Sequence, residues 1–151
     1  MKLSKNFSLA EIEHSNTAKR LGIKNEMSEE HLANMQNLID NLIQPLRDGI
    51  GPISISSGYR SPQLNKAIGG STKSQHSKAQ ALDLQYWSKG KMNNKIIYDW
   101  ILDSGLEFDQ MINEFDFSWI HISLKKNSNK SEVLEAYKNE KGKTKYRFAE
   151  S

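Results

Sequence analysis

The sequence predicts an α+β fold in which N-terminal helices pack on a mainly antiparallel sheet. Between residues 28 and 48, apolar side chains recur every three or four positions, which is typical of an amphipathic helix. Between residues 119 and 124, apolar and polar side chains alternate, as in a strand with one buried face. Helical patterns come first along the chain and strand patterns gather later, which favours an α+β class over alternating βαβ units. A length of 151 residues suits a single domain, residues 1–151.

Three helices are predicted in the first half of the chain. A short one begins at Ser8, which has the capping-box spacing to Glu11. The long helix over residues 28–48 carries two glutamates in its first turn and ends at the glycine and proline cluster 49–52. A third helix lies within residues 61–70, with proline at its first position and two glycines at its end.

The strands and the remaining helix follow from period-two alternation and from turn residues. The predicted strands cover residues 53–56, 79–86, 108–115 and 119–124, the last two joined as an antiparallel pair by a turn at 116–118. A helix is predicted over residues 93–104. Residues 125–151 form a polar, basic C-terminal extension, for which a helical turn over 132–137 and a last strand over 144–148 are predicted.

Composition limits the function classes. The chain has no cysteine, so disulfides and thiolate metal sites are excluded. The net charge is +3. No apolar run approaches the roughly 18 residues of a membrane span. The first 15 residues also lack the apolar stretch of a secretory signal. We expect a monomer of the cytoplasm, or one released by lysis or through another protein's pore.

Two of the four histidines are candidates for a metal site. His14 and His31 stand among charged neighbours on or beside helices, and we expect both to face solvent. His76 follows a polar loop, and Asp83 lies seven residues later in a predicted strand. The alternation in residues 119–124 puts His121 on the strand face opposite the apolar core.

These three side chains have the composition of a catalytic zinc site. Two neutral imidazoles and one carboxylate would leave zinc an open position for water, whereas a structural site is closed by a fourth protein ligand. A zinc-bound water has its pKa lowered towards neutrality. Cobalt or manganese would suit the same donors. Taken from the residues alone, His76, Asp83 and His121 could also be hydrogen-bonded polar groups at strand ends.

These motifs carry a family resemblance. Ser74, His76, Ala79, Ala81 and Asp83 follow the pattern Ser-x-His-x-x-Gly-x-Ala-x-Asp, with alanine at the glycine position. Residues 56–62 (SSGYRSP), followed by an asparagine and a Gly-Gly pair, and the opening FSLAE segment extend the match over residues 6–124. The chain thus resembles the zinc D-Ala-D-Ala carboxypeptidase and dipeptidase group. That group includes phage endolysin peptidases and shares its fold with the hedgehog signalling domain.

The resemblance implies a hedgehog/DD-peptidase-like fold and assigns roles to residues. It implies that His76, Asp83 and His121 hold one Zn²⁺ per chain and that a glutamate shortly before the second histidine is the general base. Glu114 is the candidate, seven residues before His121 rather than the closer spacing of the group, with Asp116 as the fallback base.

The same resemblance places Arg60 over the active site. There its guanidinium would stabilise an oxyanion or grip a substrate carboxylate. Ser74, Gln75 and Tyr59 are the substrate-binding candidates.

The implied activity is hydrolysis of amide bonds in the stem peptides of bacterial peptidoglycan. The resemblance to phage-borne members also implies that the protein reaches the cell wall after phage lysis or in a virion. The stretch between Gly105 and Lys125 is short, which favours an open cleft and an endolysin-type endopeptidase cutting L-Ala–D-Glu or a similar bond. A D-Ala-D-Ala carboxypeptidase and an enzyme that cuts cross-links are alternatives. A non-catalytic zinc-containing binding or phage structural module is an alternative of another class, because a fold does not guarantee catalysis.

The basic C-terminus leaves one further alternative. Lysines, an arginine and interleaved aromatic residues in the segment 125–148 have the composition of a nucleic-acid or anionic wall-polymer surface. The acids Glu132, Glu135 and Glu140 dilute that charge. The composition therefore favours a solvated surface over a nucleic-acid partner.

Overall fold

The computed structural model describes residues 1–71 and 74–149 of the chain. Within them, one mixed sheet contains six strands in the order β1-β2-β6-β5-β7-β8, and β3 and β4 form a separate small hairpin. The strands are β1 Ser54–Ser57, β2 Ala81–Gln85, β3 Trp87–Ser88, β4 Lys91–Met92, β5 Gln110–Glu114, β6 Trp119–Ser123, β7 Glu132–Lys138 and β8 Thr144–Phe148. Neighbours in the six-stranded sheet are antiparallel apart from β5 and β7, which run parallel. The predicted α+β class with a mainly antiparallel sheet is confirmed.

The helices precede or interrupt the strands as predicted. The α-helices are α1 Leu9–Glu13, α2 Asn16–Leu21, α3 Glu29–Leu38, α4 Gln44–Ile50, α5 Pro62–Ala67 and α6 Lys95–Ser104. The capping box predicted for α1 is present, because Ser8 and Glu11 each accept a backbone N–H of the other. Ser61 caps α5 by accepting the N–H of Leu64. Helix α2 was not predicted from the sequence.

The long amphipathic helix predicted over residues 28–48 is one continuous helical segment with a wider turn in its middle. A π-helical turn, Ile39–Ile43, joins α3 to α4. It ends two residues before Pro45, which lacks an N–H and whose ring would crowd the carbonyl of Asn41 in a regular α-helix. The helix thereby keeps its apolar stripe pointing inward: Met35, Leu38, Ile39, Leu42, Ile43 and Leu46 are fully buried.

The core lies between these helices and one face of the sheet. Leu82 and Leu84 of β2, Met111 of β5, and Ile120 and Ile122 of β6 are fully buried in one cluster with the long helix and α6. Because successive strand residues face opposite ways, the alternate residues of the same strands face the other side. That second face therefore presents polar side chains.

The prediction of a helical turn over residues 132–137 is wrong. This segment is β7, which pairs in parallel with β5 along its length. Glu132, Leu134, Glu135 and Ala136 are good helix formers, so local propensity favoured a helix. Pairing with a strand some 20 residues earlier overrides that propensity, as tertiary context often does in sheets. The predicted last strand over residues 144–148 is confirmed as β8.

None of the helices found in the described residues is long and apolar enough to cross a membrane.

Candidate metal centre and catalytic cleft

Asp83 and His121 face each other across two neighbouring strands. Asp83 of β2 is the register partner of His121 of β6, and both point away from the apolar core. Their side chains are 11% exposed and that of His76 is 4% exposed. As predicted, His121 lies on the sheet face opposite the apolar core. Its imidazole is attached to the rigid backbone of β6.

The three side chains converge on one point. His76 Nε2 lies 3.1 Å from Asp83 Oδ1, and His121 Nδ1 lies 3.0 Å from the same oxygen. One ligand atom from each residue falls within 4.8 Å of the other two. Tetrahedral zinc with bonds of about 2.0–2.1 Å places its ligand atoms about 3.3 Å apart, so this donor set fits the ion. The cluster could therefore hold one divalent metal.

A short 3-10 turn, Gln75–Lys78, delivers His76 to the cluster. Ser74 caps this turn, its hydroxyl accepting the backbone N–H of His76 at 3.3 Å. The turn ends at Ala79, which adopts the left-handed conformation with φ 58° and is fully buried. This is the position at which the resemblance expects glycine, and glycine enters that conformation without steric cost. Ala79 therefore adopts a backbone conformation that glycine takes more easily, at some cost in backbone strain.

Gly58 fixes the orientation of the His76 ring. His76 Nδ1 donates to the carbonyl oxygen of Gly58 at 2.8 Å, which leaves Nε2 unprotonated and turned to Asp83. A Cβ atom at position 58 would lie 2.3 Å from the carbonyl oxygen of Ile12, so the backbone can approach this closely only at a glycine. The next residue, Tyr59, donates its N–H to that same Ile12 oxygen. The Gly58 position of the motif is therefore required by packing.

Gln75 and Asp109 orient the second histidine. Gln75 Nε2 donates a hydrogen bond to Asp109 Oδ2 at 2.8 Å. The group that faces Asp109 must be the amide nitrogen of Gln75, because an ionised carboxylate can only accept hydrogen bonds. The amide oxygen of Gln75 is then turned to His121 Nε2, at 3.4 Å. His121 Nε2 thus carries the proton and Nδ1 is left for a metal. Lys125 Nζ, 3.6 Å from Asp109 Oδ1, balances the charge of this buried carboxylate.

The charge of Asp83 is stabilised even without a metal. Burial would raise the pKa of this carboxyl, but His121 and His76, when protonated on both ring nitrogens, donate hydrogen bonds to it that outweigh burial and hold the pKa well below its usual range. Asp83 is therefore an anion at neutral pH, which is the state that a cationic ligand requires.

The β5–β6 hairpin brings Glu114 to the same sheet face as His121. Glu114 pairs with Trp119, and Ile112 pairs with His121, so Glu114 is a diagonal neighbour of His121. The seven-residue spacing is absorbed by the connecting turn, in which Phe115, Asp116 and Phe117 all adopt positive φ. Glu114 therefore lies beside the cluster although it stands seven residues before His121, a longer spacing than the family resemblance leads one to expect.

Trp119 holds the Glu114 carboxylate in place. Its indole Nε1 donates to Glu114 Oε2 at 2.6 Å, and its ring contacts that of Phe115 edge-on. Burial, and secondarily the charge of Asp83, raise the pKa of Glu114. The environment thus moves this carboxyl towards the range in which a general base works near neutrality.

Arg60 lies at the same cleft and has no acidic partner among the described residues. Its backbone N–H donates to the carbonyl of His76, which ties the SGYRSP segment to the 3-10 turn. Within residues 1–71 and 74–149, the buried Nε of Arg60 has no hydrogen-bond partner and no ion pair involves its guanidinium. A buried donor of this kind is costly unless a ligand satisfies it.

One cleft of about 660 Å³ contains most of the predicted site residues. Its walls include the metal candidates and Arg60, Ser74, Gln75 and Glu114. Two predicted residues lie elsewhere. Tyr59 is buried in the core, its hydroxyl lies 3.0 Å from His31 Nδ1, and the residue lines a separate cavity of about 270 Å³, while Asp116 is exposed in the β5–β6 turn. His31 is therefore half-buried, contrary to the prediction that it faces solvent, whereas His14 is exposed as predicted.

Four residues at this site were not assigned a role from the sequence. They are Gly58 through its carbonyl, Asp109, Trp119 and, on the far wall of the cleft, Tyr146. For Trp119 a signal existed, since the alternation already placed it on the face of His121. The others depend on contacts between segments that are distant in sequence.

Comparison with known proteins agrees with this geometry. The sequence model of one family, described as Peptidase M15, matches residues 5–123, which include the metal candidates, Arg60 and Glu114. A search of curated proteins returns no match. The family match covers most of the chain, and the His-Asp-His cluster lies within it. The chain therefore belongs to the Peptidase M15 family and is a zinc metallopeptidase.

Proposed function

We propose that the protein is a zinc-dependent peptidoglycan peptidase that hydrolyses amide bonds in stem peptides, as an endolysin-type endopeptidase does. The observation that carries the proposal is the composition of the one cleft. A His-Asp-His cluster, a carboxylate with a raised pKa and an arginine without an acidic partner in the described residues line the same cavity. Metallopeptidase chemistry needs these three functions together.

In this proposal His76 Nε2, Asp83 Oδ1 and His121 Nδ1 hold one Zn²⁺ per chain. The ion, when bound there, supplies a Lewis acid that polarises the scissile carbonyl and makes water acidic near neutral pH. Gly58 and Gln75 fix the ring orientation of the two histidines. For Gln75 we therefore favour positioning of His121 over direct contact with substrate.

Glu114 is the proposed general base. It removes a proton from the attacking water and returns the proton to the departing amine, while Trp119 keeps its carboxylate in one orientation. Arg60 supplies hydrogen-bond donors to the oxyanion that forms on the substrate or to a substrate carboxylate. Ser74, whose hydroxyl caps the 3-10 turn, lines the cleft and can contact the substrate backbone.

The reach of the cleft supports an endopeptidase. Its lining runs from Asp83 on β2 to Tyr146 on β8, a distance of four strand spacings or about 19 Å. An extended peptide rises about 3.4 Å per residue, so about five residues can lie across this face. The cluster lies towards one end of that span, so the cleft has room for several peptide residues on the Tyr146 side of the scissile bond, more than the single residue that a carboxypeptidase removes.

A D-Ala-D-Ala carboxypeptidase is the second candidate, favoured by the cations of the cleft. Arg60, Lys78, Lys125 and Lys130 line it, and any of them that reaches a terminal carboxylate would favour trimming of the last residue. Lys125 is already engaged with Asp109, which weakens its case.

The test is digestion of purified peptidoglycan, followed by mass spectrometry of the products. The proposal predicts soluble muropeptides with a new amino terminus at an internal stem-peptide bond. Release of single D-alanine would instead identify the carboxypeptidase. Glu114→Gln, which keeps the size of the side chain, should abolish cleavage while one zinc per chain remains bound. An active Glu114→Gln protein would remove the assigned base.

A further inference from the structure

The last two strands form the wall of the cleft beyond Glu114. The family match ends at residue 123, and both β7 and β8 lie outside it. β7 pairs with β5, the strand that carries Glu114, and β8 pairs with β7. Lys130, Leu134 and Tyr146, all from the segment after residue 123, contribute to the lining of the cleft. The predicted basic extension is thus part of the site.

The register places Tyr146 in line with Glu114. Glu114 of β5 is the partner of Ala136 on β7, and Ala136 is the partner of Tyr146 on β8. Residues directly opposite each other in a sheet point to the same face, so the three share the face of the metal candidates. Ala136 between them is only 1% exposed and carries a methyl group alone. A small residue here leaves room for the tyrosine ring to lie towards Glu114.

The Tyr146 phenol lies close enough to the site for the charges of Glu114 and Asp83 to affect its pKa. Burial, and then the charges of Glu114 and Asp83, raise the pKa of this phenol. The hydroxyl consequently stays protonated at neutral pH and can donate a hydrogen bond. At 56% exposure, the side chain also keeps a large surface free for a ligand. A rigid aromatic ring with a polar tip is well suited to peptide contact.

We propose that Tyr146 is a substrate-contacting residue, which donates a hydrogen bond to a carbonyl or carboxylate of the peptide segment that departs as the amine. This assignment rests on the proposed peptidase function. Glu114 returns the proton to the departing amine, and Tyr146 lies on the side of Glu114 away from the metal candidates. The β7–β8 hairpin would then determine which stem peptides the enzyme accepts.

Three variants test the assignment. Tyr146→Phe removes the hydroxyl alone, and Tyr146→Ala also removes the ring. Phe148→Ala is the matched control, because Phe148 is an exposed aromatic residue of the same strand and does not line the cleft. The measurements are kcat and KM on soluble stem peptides, and the Kd of the same peptides for zinc-loaded protein in a Glu114→Gln background. Zinc content and the unfolding midpoint are measured on every variant.

The assignment predicts a binding defect. KM and Kd should rise about threefold to tenfold in Tyr146→Phe, as for loss of one hydrogen bond, and about 10- to 100-fold in Tyr146→Ala. kcat should change less than about threefold, zinc content should stay at one per chain, and Phe148→Ala should behave as the wild type. Wild-type KM and Kd in both Tyr146 variants would overturn the assignment and leave the peptidase function intact. A wild-type protein that cleaves no stem peptide would remove the peptidase function and this assignment with it.

Discussion

Replacing Gly58 by alanine perturbs the point at which the fold and the metal site meet. The new Cβ would lie 2.3 Å from the carbonyl oxygen of Ile12, nearer than any ordinary carbon–oxygen contact. The backbone of residue 58 must therefore move away from helix α1. Two hydrogen bonds depend on that backbone: His76 Nδ1 to the Gly58 oxygen, and the Tyr59 N–H to the Ile12 oxygen. Asn25 braces the same region by donating to Glu13 and Tyr59 carbonyls, so the displacement is resisted.

The expected loss of stability follows from these contacts. Overpacking costs about 1–3 kcal/mol, and a weakened hydrogen bond costs about 1 kcal/mol more. Together they lower the unfolding free energy of the metal-free protein by about 2–4 kcal/mol. For a chain of 151 residues, at about 2–4 °C per kcal/mol, the midpoint of thermal unfolding falls by about 4–16 °C. Because His76 also loses its fixed orientation, zinc affinity should fall about 10- to 100-fold.

Thermal unfolding in a chelator and zinc competition titration measure the two effects separately. Gly142→Ala is the control, since Gly142 lies in the β7–β8 turn with φ 74° and open space at its Cβ position. That variant should lose about 1 kcal/mol to backbone strain and keep wild-type zinc affinity. A Gly58→Ala protein with wild-type stability and zinc affinity would refute both the steric argument and the role given to the Gly58 carbonyl.

Further predictions follow from the same site. Burial raises the pKa of Glu114, and the general base must be ionised to act, so kcat/KM should fall on acidification with a midpoint above the ordinary carboxyl pKa of 4.5. Glu114→Gln should remove this activity. A midpoint at or below pH 4.5 would contradict the raised pKa. Gln75→Ala should weaken zinc binding about 10-fold by freeing the His121 ring, with little change in the unfolding midpoint of the metal-free protein. Ala79→Gly should change the unfolding free energy by less than about 1 kcal/mol, because relief of the left-handed strain offsets the loss of a buried methyl group. Ala79→Val places a β-branched side chain at the same buried, left-handed position and should lower the unfolding free energy by about 2–4 kcal/mol. Equal stability of the valine and glycine variants would count against the strained conformation at position 79.

Local patterns were sufficient for most of the fold. The long helix was predictable from its apolar stripe, and β6 was predictable from its alternation, since both signals lie within a few residues. The π-helical turn before Pro45 and the strand β7 were not. The first depends on how a proline is accommodated within an otherwise regular helix, and the second on pairing with β5, which no local pattern encodes.

The candidate site divides in the same way. The residue types and spacing of His76, Asp83 and His121 suggested a metal, and the register between β2 and β6 accounts for their meeting. The roles of Gly58, Asp109 and Tyr146 were hidden, because each acts through a contact with a distant segment. For Tyr59 and Asp116, the family resemblance suggested a place in the site, but the Tyr59 side chain is buried in the core with its hydroxyl on His31, and Asp116 is exposed.

The most direct test of the central claim is a zinc titration of metal-free protein against purified peptidoglycan, following the release of free amino groups. Activity should be absent in the metal-free protein, rise with added zinc and reach a plateau at one equivalent per chain, and His76→Ala should show no recovery. Binding of one zinc per chain with no amino groups released from several wall types would contradict the account. That result would instead favour a zinc-containing binding module.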